Sequence, residues 1–167
     1  EGRDFTGTKN FWFNQSGKII RNDFFPITMG EEMDGFPLPL YAENELIFKK
    51  DKGFVPTTTT DYLSYNGLAF NTVWSIGCPY ECSFCGNTVF IENDKDYRKI
   101  RHPSVDWLIR QIEDVKMKHP HISTVVFHDD SFMAIPKRTI MEFAEKWKTE
   151  IGLPFCVQGG IPSFVKE

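Results

Sequence analysis

The 167-residue chain lacks any apolar run approaching the roughly 18 residues that a membrane-spanning helix needs. It also lacks an excess of basic charge. With 19 Lys and Arg against 23 Asp and Glu, its net charge is −4, and no electrostatic footprint for nucleic acid or an anionic membrane surface is present. Its 12 glycines and 10 prolines are scattered, and 41% of residues are hydrophobic against 25% charged, which excludes collagen-like, disordered and coiled-coil classes. Low-complexity sequence is confined to Thr57 to Thr60, where four threonines favour extended chain. There is no initial Met and no basic segment followed by an apolar leader, and Ile161 to Glu167 reads as the opening of another element. The chain is therefore expected to be a fragment. Cysteine is sparse, but unevenly placed: Cys78, Cys82 and Cys85 fall within eight residues and Cys156 lies far downstream. A secreted disulfide framework would spread its cysteines along a shorter chain. The cluster points instead to metal or redox chemistry in a reducing, cytoplasmic compartment.

The pattern of residues changes near Phe70. Residues 1–69 are rich in aromatics and turn formers, with short candidate strands at Asn10 to Asn14 and Glu45 to Lys49. Asn14-Gln15-Ser16-Gly17 and Asp51-Lys52-Gly53 supply turn chemistry beside them. Phe36-Pro37-Leu38-Pro39 adds a proline-stiffened extended stretch. This part reads as β-hairpins and long loops. From residue 70 onward, strands alternate with helices. Phe70 to Ile76 reads as a strand that breaks at Gly77 into a cysteine loop running to about His102. Ser104 offers an N-cap to a helix whose apolar residues Val105, Leu108, Ile109, Ile112 and Val115 share one face, and Pro120 closes it. Ile122 to Phe127 reads as a strand covered on both faces, with His128-Asp129-Asp130-Ser131-Phe132 as its polar exit. A second helix has Pro136 in its first turn, puts Ile140, Phe143, Ala144 and Trp147 on one face, and ends near Gly152. Phe155-Cys156-Val157 makes a third strand, which leaves through Gln158-Gly159-Gly160. Ile161-Pro162-Ser163 could open a third helix.

Such alternation predicts an α/β fold with a parallel sheet. Three strand–helix units in about 100 residues, against roughly 250 for an eight-unit barrel, make it part of a β/α barrel or of an open sheet. Each polar cluster follows a strand, and that edge is where parallel α/β folds hold ligands. Cys156, alone inside an apolar strand, reads as a small buried hydrophobe. Trp107, Trp147 and the helix phenylalanines read as core.

Cys78-Pro79-Tyr80-Glu81-Cys82-Ser83-Phe84-Cys85 has the spacing C-x3-C-x2-C. One loop with these intervals can bring three thiolates to one face of a metal cluster. A structural zinc site normally takes four protein ligands, and ferredoxin-type clusters also use four cysteines. Three thiolates on a four-iron cubane leave one iron with an open coordination position.

The run Gly77 to Asn87, with aromatic Phe84 before the last cysteine, resembles the C-x3-C-x-aromatic-C signature of the radical S-adenosylmethionine (radical SAM) enzymes. Tyr97-Arg98 with Arg101, and Asp129-Asp130-Ser131-Phe132 after the second strand, are similar to that superfamily as well. The resemblance covers residues 70–167 and implies the first half of a partial, TIM-like (β/α) barrel, the radical SAM core, preceded by a β-hairpin and loop-rich segment at 1–69. It implies that Cys78, Cys82 and Cys85 ligate a 4Fe-4S cluster, whose unique iron chelates the amino and carboxylate groups of S-adenosylmethionine. Phe84 would lie near the adenine, and Asp129 and Asp130 at the position that contacts the methionine amino group. Many relatives carry a Gly-Gly-Glu-like sequence there, and this chain does not. Reductive cleavage would then give a 5′-deoxyadenosyl radical that abstracts a hydrogen from a substrate this sequence does not name, with electrons from a flavodoxin- or ferredoxin-like donor. Asp34 to Tyr41 resembles the linker that joins a cobalamin-binding domain to a radical domain. No Asp-x-His-x-x-Gly cobalamin motif occurs here, so cobalamin would be held by a domain outside this chain. The rivals are a radical SAM enzyme without cobalamin, such as a methylthiotransferase-like enzyme, and a non-catalytic iron–sulfur or zinc-binding module.

Overall fold

In a computed structural model of the chain, residues 4–39 and 44–158 are described. The expectations for Leu40, Tyr41, Gly159, Gly160 and a third helix from Ile161 lie outside the described residues.

Two antiparallel hairpins form first. Strands β1 (Trp12–Gln15) and β2 (Lys18–Arg21) pair with Gln15 opposite Lys18. The two-residue turn between them places Ser16 at φ 51° and Gly17 at φ 87°. Positive φ at both turn positions matches the right-handed twist of the flanking strands. Strands β3 (Leu46–Lys49) and β4 (Gly53–Pro56) form the second hairpin. Between the hairpins lies the single-turn helix α1 (Gly30–Met33).

The threonine run departs from the expected extended chain. Thr59 begins helix α2 (Thr59–Asn66), because Thr58 and Asp61 cap it reciprocally: the Asp61 N–H donates to Thr58 Oγ1 at 3.2 Å and the Thr58 N–H to Asp61 Oδ2 at 3.1 Å. A Thr-x-x-Asp capping box outweighs the β preference of threonine.

The parallel sheet follows. Strands β5 (Ala69–Thr72), β6 (Thr124–Phe127) and β7 (Phe155–Val157) lie side by side in that order, all parallel. Strand β5 is shorter than the run 70–76 suggested, since the chain turns away after Thr72. The cysteine loop is not continuous either: it contains helix α3 (Asn87–Asn93) and a 3-10 turn (Lys95–Arg98). Helix α4 (Val105–Lys118) forms as its periodicity predicts, with Ser104 Oγ accepting from the Trp107 N–H at 3.2 Å. Helix α5 (Lys137–Lys146) starts one residue after Pro136 and runs into a π turn (Trp147–Ile151). Gly152 ends that turn at φ 66°, and its N–H donates to the Trp147 carbonyl at 2.8 Å.

The core sits between the sheet and helices α4 and α5. All five apolar residues predicted on one face of α4 are buried, as are Phe143 and Trp147. Phe127 meets Phe132, Phe143, Trp147 and Phe155 with ring centroids 5.2 to 6.0 Å apart. Each buried indole has an acceptor for its N–H: Pro103 for Trp74, Phe36 for Trp107 and Leu153 for Trp147. That satisfies the polar end of each ring.

Three expectations about burial are corrected. Ala144 is exposed, because α5 and the π turn after it rest on the core through Ile140, Phe143 and Trp147. Strand β6 is sealed on one face by Val125 and Phe127, whereas Thr124 and Val126 on the other face are half-buried. Cys156 points to that second face, opposite Val126, and is exposed instead of buried. No helix among the described residues is long and apolar enough to cross a membrane.

Candidate cofactor site at the carboxyl edge of the sheet

The cysteine loop leaves the sheet after β5 and is closed at its base. Ile76 and Arg101 exchange both backbone hydrogen bonds, at 2.9 and 3.0 Å, and the Cys78 N–H donates to the Tyr97 carbonyl at 3.2 Å. Gly77 makes this closure possible. Its φ is 110°, and a Cβ there would stand 2.4 Å from the Lys99 carbonyl oxygen and 2.8 Å from that of Tyr97. Both the backbone conformation and the close approach demand glycine.

The three cysteines occupy graded environments. Cys78, at the base, is only 7% exposed, Cys85 is half-buried and Cys82 is exposed. The tip is held by local bonds: the Cys85 N–H donates to the Cys82 carbonyl at 3.0 Å, and Thr88 Oγ1 donates to the same oxygen at 2.9 Å. Glu81 is paired with Arg98 across the loop. Burial pushes the Cys78 thiol up. The Tyr80 backbone N–H pulls it back, and the negative charges of Asp130, Cys82 and Cys85 push it further up. The three sulfurs and Asp130 thus share one electrostatic neighbourhood, in which a bound cation would draw off thiol protons. Among the described residues, no three His, Cys, Asp or Glu side chains converge on a point that could hold a single ion. Thiolates that bind separate corners of a cubane need not converge so tightly. The donor set, three thiols on one loop open at its tip, fits such a cluster.

Phe84, between Cys82 and Cys85, is 92% exposed, a large apolar ring held out beside the thiols. The two aspartates after β6 diverge. Asp129 is only 4% exposed and turns inward. It accepts from the Ser75 N–H at 2.5 Å, Ser75 Oγ at 2.6 Å and the Trp74 N–H at 3.1 Å. Burial pushes its carboxyl above the usual carboxylate range, against the pull of the hydrogen bonds from Ser75 and Trp74. Asp130 is exposed and faces the cysteine loop, where Tyr97 Oη donates to its Oδ2 at 2.8 Å. Tyr97 is itself pushed up to about 12, first by burial and then by Asp130. His128 lies on the exposed face of the sheet, with Nε2 2.8 Å from Asn71 Oδ1 and Nδ1 3.4 Å from Gln158 Oε1. One side chain from the end of each strand thus joins a polar row.

Sequence reasoning missed two links here. Ser75 was read only as a strand residue, and nothing in its neighbours marks it as the partner of a carboxylate 54 residues away. Tyr97 was noted in the Tyr97-Arg98 pair, but its bond to Asp130 depends on folding the loop back over the sheet.

No protein-family profile matches the chain, and no curated protein matches it. Two solved structures do. Both are of OxsB, a cobalamin-dependent S-adenosylmethionine radical enzyme, one with aqua-cobalamin bound and one with aqua-cobalamin and S-adenosylmethionine. Their TM-scores are 0.59 and 0.56, at 19% identity over 92% of this chain. The chain has the fold of part of that protein. It spans 19% of the length of that protein. The cysteine loop and Asp129-Asp130 come from adjacent strands of one parallel sheet, at the edge where such sheets present ligand-binding groups.

Proposed function

We propose that the chain is part of a radical SAM enzyme, in which residues 70–167 form the first half of a partial barrel and residues 1–69 an approach segment. Cys78, Cys82 and Cys85 hold a 4Fe-4S cluster. The observation that carries this reading is the closed loop that presents three cysteines at the carboxyl edge of a parallel sheet, without a fourth cysteine beside them. Cys156 lies on β7 and its thiol faces away from the core.

When bound, the cluster and S-adenosylmethionine supply reductive cleavage to a 5′-deoxyadenosyl radical, which abstracts a substrate hydrogen. The chain's own residues bind and orient. Cys78 anchors the cluster at the sealed base of the loop, and Cys82 and Cys85 close on it from the tip. Phe84 offers an apolar face to the adenine. Asp130 offers a carboxylate to the methionine ammonium. Asp129, proposed from the sequence as a second cofactor contact, supports the site from below by holding Trp74 and Ser75 at the start of the loop.

The likeness to a cobalamin-dependent enzyme supports a cobalamin-dependent reaction, such as methyl transfer, with cobalamin carried by a domain outside this chain. The protein would work in the cytoplasm with a flavodoxin- or ferredoxin-like electron donor. The alternative, a non-catalytic iron–sulfur or zinc module, explains the cysteines but gives Asp130 and Phe84 no task.

The test is anaerobic reconstitution of the full chain with iron and sulfide, followed by reduction with S-adenosylmethionine present. The expected product is 5′-deoxyadenosine, lost in Cys78→Ala, Cys82→Ala and Cys85→Ala and kept in Cys156→Ala. Equal loss from all four variants would make Cys156 a ligand and remove the open iron.

A further inference from the structure

Tyr97 ties together two parts of the site that are 33 residues apart in sequence. Its carbonyl accepts from the Cys78 N–H at 3.2 Å, which fixes the base of the cysteine loop. Its hydroxyl donates to Asp130 Oδ2 at 2.8 Å. Its ring packs against Phe90, 5.3 Å between centroids, and the Arg101 guanidinium stands 5.8 Å from its centroid. The phenol is therefore a rigid arm and not a swinging one. Asp130 stands exposed on the exit loop of β6, and among the described residues Tyr97 is the one hydrogen-bond donor to its carboxylate. A short acidic side chain in that setting would sample several rotamers. A fixed donor on Oδ2 selects one and leaves Oδ1 to a ligand.

We propose that Tyr97 is a positioning residue: it holds the Asp130 carboxylate in the orientation that receives the ammonium group of S-adenosylmethionine beside the cysteine loop. This rests on the function proposed above. The two duties of Tyr97 separate cleanly, because the bond to Cys78 uses the backbone and survives any side-chain change, whereas the bond to Asp130 uses the hydroxyl alone. Phenylalanine keeps the ring and its packing and removes only the arm.

The experiment compares the reconstituted full chain with Tyr97→Phe, Asp130→Asn and the double variant. Iron and sulfide are counted in each, and S-adenosylmethionine affinity is measured anaerobically by equilibrium dialysis. Tyr97→Phe is expected to keep the iron and sulfide content and to weaken binding by about tenfold, the scale of one hydrogen bond to a charged group. In the Asp130→Asn background the same change is expected to cost nothing further, since the arm then has no carboxylate to hold. Affinity within about twofold of the unmodified protein, or an equal loss with and without Asp130, would overturn the proposal. If the unmodified protein takes up iron and sulfide but binds no S-adenosylmethionine, the functional reading fails and this one with it. If it binds and Tyr97→Phe binds equally, only the role of Tyr97 fails.

Discussion

Asp129 and Asp130 are adjacent in sequence, but backbone alternation at the end of β6 sends one carboxylate into the protein and the other to its surface. Asp129 accepts from two backbone N–H groups that have no strand partner where the chain leaves β5, and a buried unpaired N–H costs about 1–3 kcal/mol. Its raised carboxyl has a signed consequence for stability. The folded protein takes up the Asp129 proton at a higher pH than the unfolded chain does, so the fold binds more protons in the interval above the ordinary value of 3.8. Stability from this group is therefore greatest below that value and falls as pH rises through the folded-state pKa. Denaturant titrations of the unmodified protein and Asp129→Asn across the acidic range check this. The variant is expected to lose that downward component, and identical pH profiles would contradict it. At this scale the sequence was informative about identity and silent about direction: the Asp129-Asp130 pair was legible as a site element, but which carboxylate faces the loop depends on Ser75 and Tyr97, partners fixed only by tertiary folding.

Elements were legible where their periodicity was long. Helix α4 presents five apolar residues at the 3.6-residue spacing over four turns, and its cap and buried face formed as read. The short helices α2 and α3 escaped because neither has enough turns to show a stripe. The one local signal for α2, the box of Thr58 and Asp61, was hidden in a threonine run that reads as strand. The exposure of Cys156 and Ala144 also could not be read from their own segments, because it depends on which neighbours cover each face. Two substitutions test the elements that carry the site. Ser104→Ala removes the α4 cap and is expected to cost about 1 kcal/mol in chemical denaturation while leaving cluster uptake intact. Gly77→Ala places a Cβ against the Lys99 and Tyr97 carbonyls, so it is expected to cost more than the cap does and to lower iron uptake with it. Full iron uptake by Gly77→Ala would show that the base of the loop need not be closed for the cysteines to act.

At the scale of the whole molecule, the parallel α/β sheet was legible from alternation, because each hydrophobic strand is followed by an amphipathic helix that must pack back onto it, whereas the order β5-β6-β7 and the placing of α4 and α5 on one face emerged only in the structure. The opposite face carries Asn71, His128, Cys156 and Gln158 and is exposed or half-covered among the described residues. In a closed barrel, that face would line the interior. The likeness to OxsB extends over 92% of this chain but 19% of that one, so the proposed cluster loop is the part of the account that this chain alone can test. The most direct test is therefore the metal itself. After anaerobic reconstitution of the full chain, the account predicts about four irons and four sulfides per chain, falling sharply in Cys78→Ala, Cys82→Ala and Cys85→Ala but not in Cys156→Ala. One tightly bound zinc with no sulfide would contradict it.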